Sequence, residues 1–188
     1  MERQHQILEA AKRLLLRYGP GKTTVADIAR EAGVGVGSVY LEFKSKDEIL
    51  VALSSHRYHH VLDAMRAAAA AEQDAACRLG AMLAARLEAF LRLADDGDHA
   101  SELLHCYCPA VEAAWREFTA TEQRLVAQVI ADGVERGTLA GDPATQAETL
   151  LAACATLSPP LLCKRRSPDV RERAARLHRL LLDGLRAR

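Results

Sequence analysis

Three groups of side chains in this sequence have types and spacings that suggest chemistry. His105-Cys106-Tyr107-Cys108 offers imidazole and thiol ligands, with Cys77 and His99 as further donors. Its spacing matches no standard zinc pattern, and on a helix Cys106 and Cys108 point to different sides. His56 and His60 are four apart and share a helix face, with His59 adjacent. They are placed to chelate a metal, to make their helix sensitive to pH, or to form a plain solvated polar patch. The third group is Tyr40, Lys44 and Lys46, one phenol and two ammoniums close together, which suit contacts to phosphate. Catalytic arrangements are missing: no nucleophile elbow, metal-protease motif, phosphate loop or glycine-rich dinucleotide fingerprint is present. No metal site and no cofactor is assigned. A small helical enzyme and a metal- or thiol-sensing protein remain as alternatives to a DNA-binding reading.

The elements around Tyr40, Lys44 and Lys46 give that group its meaning. Ile7, Leu8, Ala11, Leu14, Leu15 and Tyr18 form an apolar stripe, which predicts a helix from about residue 4 to 18. Gly19 and then Pro20-Gly21 end it. Thr24 with Asp27 three residues later has the form of a capping box and starts a second helix carrying Val25, Ile28, Ala29 and Ala32. Gly33 supplies the turn, because glycine tolerates positive φ. A short third helix spans about residues 35 to 41, with Val39 turned inward. A small residue at Ala29, a glycine turn and an anchored short helix are the requirements of a helix-turn-helix, which leaves one helix face for the major groove. Ser45, with Glu48 as its partner, caps a fourth helix. Its amino terminus at Ser45 and Lys46 favours phosphate through exposed N–H groups and the dipole.

Composition fits an all-α protein. The chain has 188 residues, 49% of them hydrophobic and only 4% aromatic, with no alternating run bounded by turn signals. Formal net charge is +0, and residues 1–50 hold eight Lys and Arg against seven Asp and Glu. This is not the basic stripe of a non-specific nucleic-acid binder. The amino terminus is charged and amphipathic, unlike a signal peptide, and no apolar run approaches the ~20 residues of a membrane span. The expectation is a cytoplasmic protein without membrane contact. Its five cysteines are expected as free thiols, mostly buried.

Further helices are expected over about 45–71, 75–93, 99–107 and 109–136, from Asp142-Pro143 to the Ser158-Pro159-Pro160 break, and after Ser167-Pro168-Asp169. Residues 1–48 read as the helix-turn-helix domain and 49–188 as a larger helical domain. Its central helices bring Met65, Leu83, Leu87, Phe90, Leu104, Tyr107, Trp115 and Phe118 as candidate lining of a pocket for a small apolar or aromatic effector, or as ordinary core. The last two helices carry apolar surface suited to a homodimer or to an intramolecular pair.

The segment Thr23-Thr24-Val25, Ile28-Ala29, Ala32-Gly33-Val34, Gly37-Ser38-Val39-Tyr40, Phe43 and Lys44-Ser45-Lys46-Asp47-Glu48-Ile49-Leu50 resembles the amino-terminal domain of TetR-family transcriptional regulators. The match is dense across residues 7 to 53. The resemblance implies a dimer on a pseudo-palindromic double-stranded DNA operator, acting as a repressor released by a small-molecule effector held in the larger domain. It places Thr24 and the second helix's start on phosphate, and Val36, Gly37 and Ser38 at base edges. Tyr40 and Lys46 clamp the backbone, beside Lys44. Gly35 departs from the polar residue common there, and Glu42 from a basic or aromatic one. With Gly35 and Gly37 bare, backbone contacts and DNA shape are expected to carry much of the specificity.

Overall fold

The computed structural model describes residues 2–97, 99–104, 109–159, 161–164 and 167–187, with the backbone alone at 101, 104, 110, 163 and 164. Among the described residues the regular elements are helical. They are α1 (Glu2–Tyr18), α2 (Val25–Glu31), α3 (Val36–Glu42), α4 (Lys46–Ala70), α5 (Ala75–Asp95), α6 (Ala100–Leu104), α7 (Pro109–Glu135), α8 (Pro143–Ala153), α9 (Leu161–Lys164) and α10 (Val170–Leu185). No strand forms among them; Leu139 and Arg186 make only an isolated bridge. No described helix is long and apolar enough to cross a membrane.

The chain divides into two compact units, residues 1–58 with 92–116, and residues 59–91 with 117–188. In the first, α1 to α3 and the start of α4 close over Ile7, Ala11, Leu15, Ile28, Ala29, Val39, Phe43, Ile49, Leu50 and Leu53, joined by Leu103 and Val111. Apolar burial at roughly 25 cal/mol per Å² drives this closure. Polar ties hold the 92–116 segment to the same unit. Buried Arg57 on α4 donates to the Leu93 carbonyl at 2.6 Å and to Asp96 at 3.2 Å. Ser54 Oγ donates to the Leu103 carbonyl at 3.1 Å, and His99 N–H to the Leu16 carbonyl at 3.1 Å. Tyr58 and Trp115 meet edge to face, centroids 5.4 Å apart.

In the second unit, Met65, Leu79, Met82, Leu83, Phe90, Phe118, Val126 and Ile130 are buried. Gly133 lets α7 approach closely, since a Cβ there would lie 2.6 Å from Leu139 Cδ1. Asp142 caps α8 by accepting from Thr145 N–H at 2.8 Å, with Pro143 in the first turn. This helix ends at Ala153, before the Ser158-Pro159-Pro160 break expected to stop it. Residues 155–157 tighten into a 3₁₀ turn, with Leu157 N–H on Cys154 O and Ser158 N–H on Ala155 O. A proline disfavours α conformation in the residue before it, and Ser158, ahead of Pro159, is extended at φ −122° and ψ 152°.

A buried ion pair crosses this unit. Arg86 on α5 donates through Nε to Glu122 on α7 and through Nη2 to Ser158 Oγ at 2.8 Å. The side chains of Arg86 and Glu122 are 4% and 3% exposed. The Arg86 guanidinium also lies 5.0 Å from the Phe90 ring centroid. Removing one partner leaves a buried charge, so Glu122→Ala should lower unfolding free energy by about 3–5 kcal/mol. The double replacement Arg86→Met with Glu122→Leu should recover most of that loss. Chemical denaturation of the three proteins checks both statements.

Candidate nucleic-acid interface

The interface is built from three short elements and the turns between them. Thr24 caps α2 with extended backbone, φ −105° and ψ 163°. Its N–H donates to Asp27 Oδ2 at 3.0 Å and its hydroxyl to the same oxygen at 2.6 Å, while Asp27 N–H donates back to Thr24 Oγ1 at 3.2 Å. The capping box is therefore closed. The Thr24 hydroxyl hydrogen is engaged by Asp27, so the start of α2 would offer a phosphate the amides of Val25 and Ala26.

Gly33, at φ +66°, ends α2. Val34 N–H reaches Ala29 O at 3.0 Å and Gly33 N–H reaches Arg30 O at 3.2 Å, which is the Schellman closure. That closure turns the chain into α3 without a long loop. On α3 only Val39 is buried. At 3.6 residues per turn, the side opposite Val39 is centred on Gly37 and Leu41, flanked by Ser38 and Tyr40. Tyr40 and Leu41 follow this geometry, 52% and 81% exposed, while Val36, on the side of Val39, is 42% exposed at the start of the helix. Ser38 sits to the side and is half-buried. Sequence reasoning passed over Leu41, although its place four residues after Gly37 puts it on the same face.

The fourth element starts as expected, with one change of partner. Glu48 N–H donates to Ser45 Oγ at 3.2 Å, but the Glu48 carboxylate takes the Lys44 N–H at 2.7 Å rather than that of Ser45. The Lys44 side chain is exposed. Lys46 turns inward: its ammonium donates to Pro20 O at 2.8 Å and Thr23 O at 3.2 Å. Thr24, Val36, Gly37, Tyr40 and Lys44 are thus exposed residues of one unit, while Ser38 and Lys46 are partly withdrawn.

The other candidate residues are placed differently. Met65, Leu83, Leu87, Phe90 and Phe118 are buried in the second unit, with Phe90 and Phe118 edge to face at 5.9 Å. Trp115 is half-buried in the first unit. The side chain of Leu104, and His105, Cys106, Tyr107 and Cys108 entirely, lie outside the described residues. His56, His59 and His60 are exposed along α4. Among the described residues no cluster of three or more His, Cys, Asp or Glu is arranged to hold a metal ion. Of the cysteines whose side chains are described, Cys154 is buried and Cys77 is exposed. It lies in the first turn of α5, where its N–H donates to Asp74 at 3.0 Å.

Residues 7–53 match the family of bacterial regulatory proteins, tetR family. The chain is 38% identical over 111 residues to the HTH-type transcriptional regulator TtgR of Pseudomonas putida, covering 57% of this chain and 51% of that protein. It spans about half the length of the curated relatives it matches over that distance. A crystal structure of a TetR/AcrR-family transcriptional regulator from Thermobifida fusca superposes with TM-score 0.75 at 28% identity, over 98% of each chain. The fatty acid degradation regulator FadR from Bacillus halodurans shares the fold, with TM-score 0.72 at 22% identity over 99% of this chain and 97% of that one. The matched relatives are regulators and not enzymes.

Two outcomes follow from the caps. An added Cβ at Gly33 meets nothing within 4 Å, so Gly33→Ala should cost only the left-handed backbone penalty, about 1–2 kcal/mol, read by thermal denaturation. The Asp27 carboxyl is held below the ordinary carboxylate range, first by the Thr24 hydroxyl, then by the Thr24 N–H, with Arg30 adding less. Its cap is therefore complete above the unfolded value of about 3.9 and is lost as pH falls through the lower folded value. Amide resonances of Thr24 and Asp27 should report that loss below about pH 4, and Asp27→Asn should remove the transition.

Proposed function

We propose that the chain is a regulator of the TetR family, responsive to a ligand and binding DNA through α2 and α3. The observation that carries the reading is the outer face of α3. Val39 fixes the helix from behind, Tyr40 and Leu41 stand exposed on the outer side, and Val36 is exposed at the helix start. A face of this kind suits the major groove: Val36 and Leu41 match thymine methyl groups, and Ser38 hydrogen-bonds from the flank. Tyr40, Lys44 and the amides at the start of α2 suit backbone phosphates, with Thr24 shaping that start.

The finer reading is a repressor acting as a homodimer on a pseudo-palindromic operator, its two α3 helices entering successive major grooves about 34 Å apart. The dimer would form through α8 and α10. In support, Leu180 on α10 is 72% exposed, and on α8 Ala152 and Ala153 offer a small, exposed surface. A small apolar or aromatic effector would bind among the buried residues around Met65, Leu83, Leu87, Phe90 and Phe118. It would release the operator by favouring the conformation with the lower DNA affinity.

Electrophoretic retardation of DNA from around the protein's own coding region, at moderate salt and with unrelated competitor, tests the reading. Retardation that survives competitor is expected; its loss to competitor on every fragment of that region would count against a local operator. On a retained fragment, Lys44→Met should lower the slope of log affinity against log salt by about 0.9, one phosphate contact. Tyr40→Phe should weaken binding by about 0.5–1.5 kcal/mol, one hydrogen bond, without changing the preferred sequence.

A further inference from the structure

We propose that Lys46 is a positioning residue, not a phosphate clamp: its ammonium fixes the α1–α2 connection and thereby aims the amino terminus of α2. The inference rests on the DNA-binding reading above. A lysine ammonium has three donors and no acceptor. Here two of those donors reach Pro20 O at 2.8 Å and Thr23 O at 3.2 Å, across 26 and 23 positions of sequence. Lys46 itself is half-buried, and the next turn of its helix is set in the core by Ile49 and Leu50. The ammonium is therefore presented from a fixed base.

What it holds matters for α2. The Thr23 carbonyl and the Thr24 N–H belong to one peptide plane. Lys46 grips the oxygen of that plane, and Asp27 accepts from its nitrogen at 3.0 Å. A cation on the oxygen and an anion on the nitrogen polarise the same peptide in the same sense, so each strengthens the other. Thr23, itself buried, donates its hydroxyl to Gly19 O at 2.9 Å. The carbonyls of Gly19, Pro20 and Thr23 are thus all engaged within one short connection. Without the ammonium, the Pro20 and Thr23 carbonyls lose their donor and the plane before the cap is held from one side only. The Val25 and Ala26 amides would then no longer point in a single direction.

Positioning and clamping differ in two readouts. Neutral amides release no counterions, whereas a lysine on a phosphate contributes about 0.9 to the salt slope. In the full-length protein, Lys46→Met keeps the stem and removes the charge. Hydrogen exchange in the free protein should rise about tenfold at the amides of Thr24, Asp27 and Ile28, which form the cap, and stay unchanged at Val39 and Phe43. Affinity for a retained duplex should fall at least tenfold while the salt slope changes by less than about 0.3. A slope lower by about 0.9, with unchanged exchange at the three amides, would overturn the proposal in favour of a direct clamp. Exchange rising equally through α1 and α3 would overturn it in favour of general stability. If Lys46→Met does not fold, Lys46→Gln is measured in its place, with the same pattern expected at smaller amplitude. If the unaltered protein retards no duplex, the DNA-binding reading fails, while the exchange measurement still decides whether Lys46 fixes the connection.

Discussion

A seven-residue helix does not hold itself in water, and α3 is such a helix. Isolated helices need about 12–15 residues to be even marginally stable. Its orientation must come from the residues it buries, Val39 on its inner side and Phe43 just after its end, in the core made by Ile7, Leu15, Ile28 and Ala29. The neighbouring devices all act on that requirement. The Schellman closure at Gly33 sets the angle of entry, and the cap at Ser45 restarts the chain as α4. The ammonium of Lys46 ties that restart to the connection before α2. The exposed face of α3 is a consequence of this anchoring, since a helix held by one side chain on one side leaves the opposite side to solvent or to a partner.

The second unit solves a different problem. Among the described residues its buried polar side chains are those of Arg86, Glu122, Ser158 and His178, in a core otherwise apolar. An ion pair in such a place is weak evidence for stability, because desolvation offsets much of the attraction. What it supplies is a definite register: α5, α7 and the turn at Ser158 must meet at one position for every donor to be answered. Burial chiefly, and then the nearby Arg86, push the pKa of His178 on α10 down. A proton there would add a second positive charge beside the guanidinium.

The caps and turns were legible in the residues because they are local. Thr24 with Asp27, Gly33, Ser45 with Glu48, and Asp142 with Pro143 each act over a few positions, and types and spacing suffice to find them. The inward place of Val39 was also legible, from its spacing after Ala29 and Gly33 in the order a helix-turn-helix requires. Interactions across long separations were not. Nothing local distinguishes Lys46, whose partners lie more than 20 positions away, from an exposed lysine at a helix start. Nothing pairs Arg86 with Glu122, which are 36 apart. The grouping of residues 92–116 with the amino-terminal helices rests on Arg57, Ser54 and the Leu16 carbonyl finding partners there, which no periodicity encodes. The early end of α8 escaped notice because its apolar pattern continues through Cys154 and Leu157 after the α-helix has stopped.

The near-neutral charge of the amino-terminal segment takes on a sharper meaning once partners are known. Several of its cations are already engaged: Arg13 with Glu31 at 2.9 Å, Arg30 with Asp27 at 3.5 Å, and Lys46 with two carbonyls. Lys22 and Lys44 stand exposed close to the face that α2 and α3 present. In the DNA-binding reading, few full charges would then meet phosphates, and the counterion contribution to affinity would be small. Helix amino termini, neutral donors and the apolar surface of Val36 and Leu41 would have to supply the remainder. These groups act over short range and only in one orientation. A protein that relies on them needs its α2 and α3 termini held to tight geometry before it meets DNA, and the closed capping box, the Schellman turn and the inward lysine each act on that geometry.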